Sequence, residues 1–300
     1  MIFTMRWAML LLLSLDGTQA PQELAISVNV DLVVLHATVR DRNGVAAGEL
    51  AAADFAVYED GVRQAIRVFQ HLDQPVTAGL VVDHSGSMRP RLADVVEAAR
   101  AFVRFSSAED EMFVVNFNEN VSLGLGRPGV FTNRQDEVAE AIGRPGANGQ
   151  TALYDAVVAG LEQMRTGSRE KKVLLLISDG ADNKSVHTQT QAMRLAVRSN
   201  AAIYTIGLFA DEDPDRNPDV LRRLARATGG EAFFPQEAKQ TAAICEQIAG
   251  DIRRQYTLGY VSNSTRPEGE FRNIRVVAEA AGRGRLTVRT RAGYVAGSTP

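Results

Sequence analysis

The sequence predicts an α/β protein: a doubly wound domain with a mostly parallel central sheet, flanked by a β-sandwich-like module that both chain ends build together. Three observations carry that expectation. Between Pro75 and Arg254 strand-like apolar runs alternate with helix-like patterns, the order that winds helices onto both faces of one sheet. Two of those runs, Ala78 to Val82 and Val173 to Ile177, are unbroken apolar stretches, as suits parallel strands buried on both faces. The two ends of the chain show short alternating segments separated by turn residues, a β pattern.

Taken in order, residues 1–20 form a secretory signal. Arg6 supplies the positive charge, Trp7 to Leu15 an apolar core too short to span a bilayer, and Thr18, Gln19 and Ala20 a small-residue cleavage site, cut after Ala20. The mature protein is therefore expected to be secreted or periplasmic. No later run approaches the roughly 20 apolar residues of a membrane span. Residues 21–74 form an amino-terminal β segment. Its strands are expected at 26–34, 55–58 and 62–66, with turns at Asp41 to Gly44 and Glu59 to Gly61.

Residues 75–255 form the central domain. Its strands are expected near 76–83, 112–117, 121–126, 172–178, 202–208 and 231–234. Leu92, Val95, Ala99 and Phe102 mark one amphipathic helix, and Leu153, Val157, Leu161 and Met164 another. Further helices are expected near 133–142, 188–199, 218–228 and 237–254. The short link Asn118-Glu119-Asn120 implies a hairpin, and so one antiparallel edge strand.

Residues 256–300 return to β, with strands at 256–261, 271–277 and 286–291. Each flank is too small to fold well alone, but together they have the size of one sandwich. Acid predominates in the first and arginine in the last, so they are expected to pack together; two separate small appendages are the alternative. Arg285, Thr287, Arg289 and Arg291 fall at period two, the pattern of a solvated sheet face, with a surface for anionic polymers as the second reading.

The chemistry gathers at the strand ends. Asp83, followed by Ser85 and Ser87, ends one apolar run, and Asp179 ends another. Thr151 sits where a loop turns into a helix. Open α/β sheets bind ligands beyond the carboxyl ends of their strands, and these five residues offer two carboxylates and three hydroxyls there. An all-oxygen set suits Mg²⁺, Mn²⁺ or Ca²⁺; zinc would want His or Cys.

This D-x-S-x-S motif with a distant Thr and a distant Asp resembles the metal-ion-dependent adhesion site of von Willebrand factor type A domains, with all five positions present. The flanks, with Asp54-Phe55 leading into Tyr58-Glu59-Asp60-Gly61 and a closing Arg291-Ala292-Gly293-Tyr294, resemble those of bacterial secreted proteins in which such a domain is bracketed by β segments. The resemblance implies that Ser85, Ser87 and Thr151 approach the ion directly, while Asp83 and Asp179 act through water. It implies a partner as well: a protein or other extracellular macromolecule whose exposed Asp or Glu completes the coordination.

The expected function is thus cation-dependent adhesion without catalysis. Asp83-His84-Ser85 holds the residue types of a hydrolase triad, but adjacent residues in one tight loop cannot form the nucleophile, base and orienter chain, and the G-x-S-x-G elbow is missing. His84 is expected on the rim of the site. A structural scaffold with a minor metal site and a metal-dependent hydrolase are the alternatives. A net charge of −3 gives no reason to expect nucleic acid. Cys245, the only cysteine, shares helical spacing with Ile248 and Ile252 and reads as a buried, inert thiol.

Overall fold

The computed structural model describes residues 32–209, 215–237 and 239–297. The expected secretory signal and the first part of the strand expected at 26–34 lie outside the described residues. All the architecture below belongs to the unit that begins at Asp31.

The chain first lays down β1 (Leu32–Arg40), β2 (Phe55–Glu59), β3 (Val62–Gln64) and β4 (Ile66–Gln70). It then enters the central domain through β5 (Val76–Asp83), α1 (Leu92–Arg104), β6 (Glu111–Phe117), β7 (Val121–Leu123), α2 (Gln135–Gly143) and α3 (Leu153–Arg165). There follow β8 (Lys171–Ser178), α4 (Gln189–Arg198), β9 (Ala202–Gly207), α5 (Pro218–Thr228), β10 (Ala232–Phe233) and α6 (Lys239–Arg253). The carboxyl end adds β11 (Tyr256–Val261), β12 (Phe271–Ala278), β13 (Thr287–Arg289) and β14 (Gly293–Val295).

The central sheet has the order β10-β9-β8-β5-β6-β7, with β7 antiparallel to β6 and the other pairs parallel. The doubly wound sheet with one antiparallel edge is therefore as the sequence predicts. Every position of β5 is buried, because helices cover both faces of the sheet. Ala78, Leu80, Val82, Leu175 and Ile177 face a core shared with α1, α2 and α6, in which Cys245 lies fully buried. Burial pushes its thiol up to about 12, so it is inert as expected. Val81, Leu174 and Leu176 face the opposite core, shared with α3, α4 and α5. Local signals set the helix ends: Thr188 and Gln191 form a reciprocal cap on α4. Asn217 caps α5 ahead of Pro218, and Gly229, at φ +86°, closes it in the left-handed region.

Two four-stranded antiparallel sheets flank this domain, in the orders β13-β1-β11-β4 and β14-β12-β2-β3. Each combines strands from both chain ends, so the two ends build one module. Leu35, Val57, Tyr256, Leu258, Tyr260 and Val276 share its core. The charge asymmetry of the flanks reappears as the Arg272–Glu59 and Arg266–Asp60 ion pairs. The first described strand runs further than expected, to Arg40, because Val33, Leu35, Ala37 and Val39 continue one buried face.

The arginine row is a solvated face only in its first half: Arg285 and Thr287 are exposed, while Arg289 and Arg291 are half-buried. Only Thr287–Arg289 is strand, and Arg289 bonds Glu231 and Asp251 of the central domain. Arg291 bonds the amide oxygen of Asn200. Its second half therefore lies against the central domain, where two guanidinium groups reach oxygen atoms.

His36 lies on β1, opposite Thr257, with Nδ1 3.1 Å from the Thr257 hydroxyl. Burial lowers its pKa from 6.5 to about 4, aided by Lys171 and Arg291. The unfolded chain takes up this proton near pH 6.5 and the folded chain only near 4, so acid favours unfolding across that window. Stability to urea should fall between pH 6.5 and 4, by at most about 3 kcal/mol from this residue. A His36→Gln variant should show a shallower pH slope; an identical slope would dismiss the assignment.

Candidate functional site

Parallel pairing places Val82 beside Ile177, so Asp83 and Ser178 emerge side by side at the carboxyl ends of the two central strands. The Asp83 carboxylate then has two donors. Its Oδ1 accepts the Ser85 backbone N–H at 2.9 Å, and its Oδ2 accepts the Ser178 hydroxyl at 2.6 Å. Burial and the nearby Asp179 nevertheless raise its pKa to about 7. The first loop turns at once into a short 3-10 helix, Gly86–Arg91. This holds Ser87 so that its hydroxyl lies 3.1 Å from that of Ser85 and donates to Asp179 Oδ2 at 2.6 Å.

Backbone bonds seat the Thr151 loop against the other two. Gly86 N–H donates to the Gly149 carbonyl, and Asn148 N–H to the His84 carbonyl. Asn183 accepts the Thr151 N–H on its side-chain oxygen, and the N–H groups of Asn183 and Lys184 both donate to the Thr151 carbonyl. Gly180, at φ +82°, makes the turn that brings this third loop round; a Cβ there would lie 2.3 Å from the Asn217 carbonyl oxygen. The structure thus brings the loops carrying Asp83, Ser85, Ser87, Thr151 and Asp179 to one crevice. Asp83, Ser85, Thr151 and Asp179 are each at most 3 % exposed, so Ser87 is the member most open to solvent.

Two sequence expectations are corrected. The first is the bound Mg²⁺, Mn²⁺ or Ca²⁺: among the described residues no three His, Cys, Asp or Glu side chains are grouped where they could hold a metal ion. The crevice contributes only two carboxylates, Asp83 and Asp179, and each accepts hydrogen bonds from neighbouring protein groups. The second concerns His84, which is not on the rim. It is 1 % exposed, its Nε2 lies 3.1 Å from the side-chain oxygen of Asn116, and burial lowers its pKa. Because β6 runs beside β5, His84 points back into the sheet, toward Asn116.

Asp155 has the structural role expected of it. Its carboxylate accepts the N–H groups of Val186 and His187 and contacts the His187 ring at 2.7 Å, pinning the loop after Asp179. Sequence reasoning missed Ser178. Its place immediately before Asp179, on the strand next to Asp83, was the available signal.

A family profile described as von Willebrand factor type A domain matches residues 79–247. Among solved structures, a von Willebrand factor type A protein from Catenulispora acidiphila is similar at 16% identity and TM-score 0.53, covering 89% of this chain and 74% of that one. Proximal thread matrix protein 1 from the mussel byssus is similar at 15% identity and TM-score 0.52, covering 65% of this chain and 51% of its own. The von Willebrand factor domain of the type V pili tip protein Mfa5 from Porphyromonas gingivalis has 15% identity and TM-score 0.50, covering 61% and 96%. At such identities these likenesses speak to the fold alone. No curated protein matches the chain. The profile covers more than half of the sequence, and the chain belongs to the von Willebrand factor type A domain family.

Proposed function

We propose that this protein is a secreted or periplasmic adhesion module that captures a protein or other extracellular macromolecule at the crevice beyond β5 and β8. Residues 75–255 form the binding domain, and residues 21–74 with 256–300 form its support. The family is a non-catalytic adhesion family, in keeping with the sequence reading that the chain is not an enzyme. Among the described residues no helix is long and apolar enough to cross a membrane. The observation that supports the site is the convergence of three loops on Asp83, Ser85, Ser87, Thr151 and Asp179, at the edge where open α/β sheets bind ligands.

The expectation of an exposed Asp or Glu on the partner depends on a cation facing it. Asp83 and Asp179 carry the same sign as such a group, so an acidic segment finds its complement elsewhere on this chain.

Ser87→Ala and Thr151→Ala should each reduce partner capture from a native extracellular extract at least tenfold. The serine change removes one hydroxyl and the threonine change a hydroxyl and a methyl, both at loops outside the apolar cores, so the circular dichroism spectrum and thermal midpoint should stay close to the parent. Capture that survives both substitutions unchanged would remove the crevice as the binding surface.

A further inference from the structure

A cavity of about 690 Å³ opens between α5 and β10 of the central domain and β12 and β13 of the flanking module. Its size is that of a ligand site. Ala225, Ala232, Ile274, Val276 and Val288 supply apolar walls. Five arginines, Arg222, Arg226, Arg275, Arg289 and Arg291, also line it, against one acid, Glu231, which Arg289 already engages. Arg226 and Arg275 are exposed, and neither has a carboxylate partner among the described residues. Arg291 bonds only the neutral Asn200 oxygen, and its buried Nε has no hydrogen-bond partner there. Arg222 pairs with Asp219 and Arg289 with Glu231 and Asp251, which leaves Arg226, Arg275 and Arg291 without a carboxylate among the described residues; Arg275 stacks on the Tyr58 ring and Arg291 on that of Tyr294.

The backbone supplies a second observation. β12 pairs with β14 over Phe271–Asn273, and its Ile274 N–H still donates to the Ala292 carbonyl on that side; with β2 pairing the opposite edge over Ile274–Ala278, the open side begins at Arg275. That open side belongs to the stretch that lines the cavity. β10 and β13, which also line it, are the end strands of their own sheets. An unpaired strand edge is a template for an incoming extended chain, whose side chains alternate between two faces.

We propose that an extended acidic peptide segment of a partner protein binds in this cavity, adding its backbone to the open edge of β12 and its carboxylates to Arg226 and Arg275. Alternate apolar side chains of the peptide rest on Ile274, Val276 and Val288. Arginine suits this task because its planar donor fork matches a carboxylate. An anionic polysaccharide or a free polyphosphate would use the charge but would leave the strand edge and the apolar walls without a role. This surface is separate from the crevice of Asp83 and Thr151, so either can fail without the other.

The probe is a fluorescein-labelled peptide of alternating glutamate and leucine, titrated with the mature full-length protein at low salt and read by anisotropy. Arg226→Glu and Arg275→Glu should each weaken binding tenfold or more, and Ser85→Ala should leave it unchanged. N-methylation of every second peptide nitrogen, which removes strand pairing while keeping every charge, should also abolish it. Equal affinity for both arginine variants, or for the N-methylated peptide, would overturn the proposal. So would tripolyphosphate or a sulfated oligosaccharide binding more tightly than the peptide. The far-ultraviolet spectra of both variants should match the parent, because each side chain is exposed.

Discussion

Glu59→Ala should destabilise the protein on the order of 3–5 kcal/mol, the range found when one partner of a buried charged network is removed. Glu59 ends β2 inside the sandwich, with its side chain 1% exposed. Its Oε2 accepts the Tyr260 hydroxyl at 2.6 Å and the Tyr294 hydroxyl at 3.0 Å; its Oε1 accepts the Ser262 hydroxyl at 2.6 Å and Arg272 at 3.3 Å. Burial and the carboxylate together raise the Tyr260 pKa, keeping its proton on the hydroxyl that donates to Glu59.

Alanine would leave the Arg272 guanidinium, 9% exposed, without its carboxylate and three hydroxyls without their acceptor. Glu59→Gln should cost less, because the amide oxygen still accepts, while its NH₂ meets groups that already donate. Urea unfolding followed by tyrosine fluorescence measures both variants. An alanine variant within about 1 kcal/mol of the parent would show that packing alone holds the module.

Residues of the same network illustrate what the sequence conveys and what it hides. The turn Glu59-Asp60-Gly61 and the alternation on either side are local signals, and they predict the β2–β3 hairpin. That Glu59 is buried is a tertiary fact: it follows from β2 lying between β3 and β12, where Tyr260, Ser262 and Arg272 of the carboxyl flank close over its carboxylate. Excess acid in one flank and excess arginine in the other announced the pairing without saying which acid meets which base.

The crevice was legible for a different reason. Apolar runs such as Val173 to Ile177 fix parallel strands, and whatever follows such a strand lies at its carboxyl edge, so Asp83 and Asp179 were placed by sequence alone. The inward turn of His84 was not, because it depends on Asn116 lying one strand away. The metal expectation went beyond what position supports. Hydroxyls and carboxylates brought to one place can bond each other, as Ser87 with Asp179 and Ser178 with Asp83 do. The periodicity of the arginine row misled for Arg289 and Arg291. Period two specifies alternate faces, but whether a face meets water or another domain is decided by what packs there.

Asp251→Ala should loosen the attachment of the central domain to the flanking module, lowering the thermal midpoint by several degrees, as a loss of about 2–4 kcal/mol would. Asp251 lies near the end of α6 with its side chain 2% exposed, and it receives Arg40 of β1 at 2.5 Å and Arg289 of β13 at 2.9 Å. One carboxylate thus bonds guanidiniums from both ends of the chain to the last helix of the domain between them. Without it, Arg40 and Arg289 would face each other at 19% and 22% exposure with their charges unscreened by a carboxylate; Arg289 would keep Glu231 alone.

The two bonds share one acceptor, so their energies should couple. Arg40→Ala should cost much less in the Asp251→Ala background than in the parent, a coupling of about 1–2 kcal/mol in a double-mutant cycle. Limited proteolysis gives an independent readout, since a loosened module exposes the connection between β4 and β5 to cleavage. Additive substitutions with unchanged proteolysis would mean that the covalent connections and the apolar contacts hold the two parts together, and that the shared carboxylate contributes little.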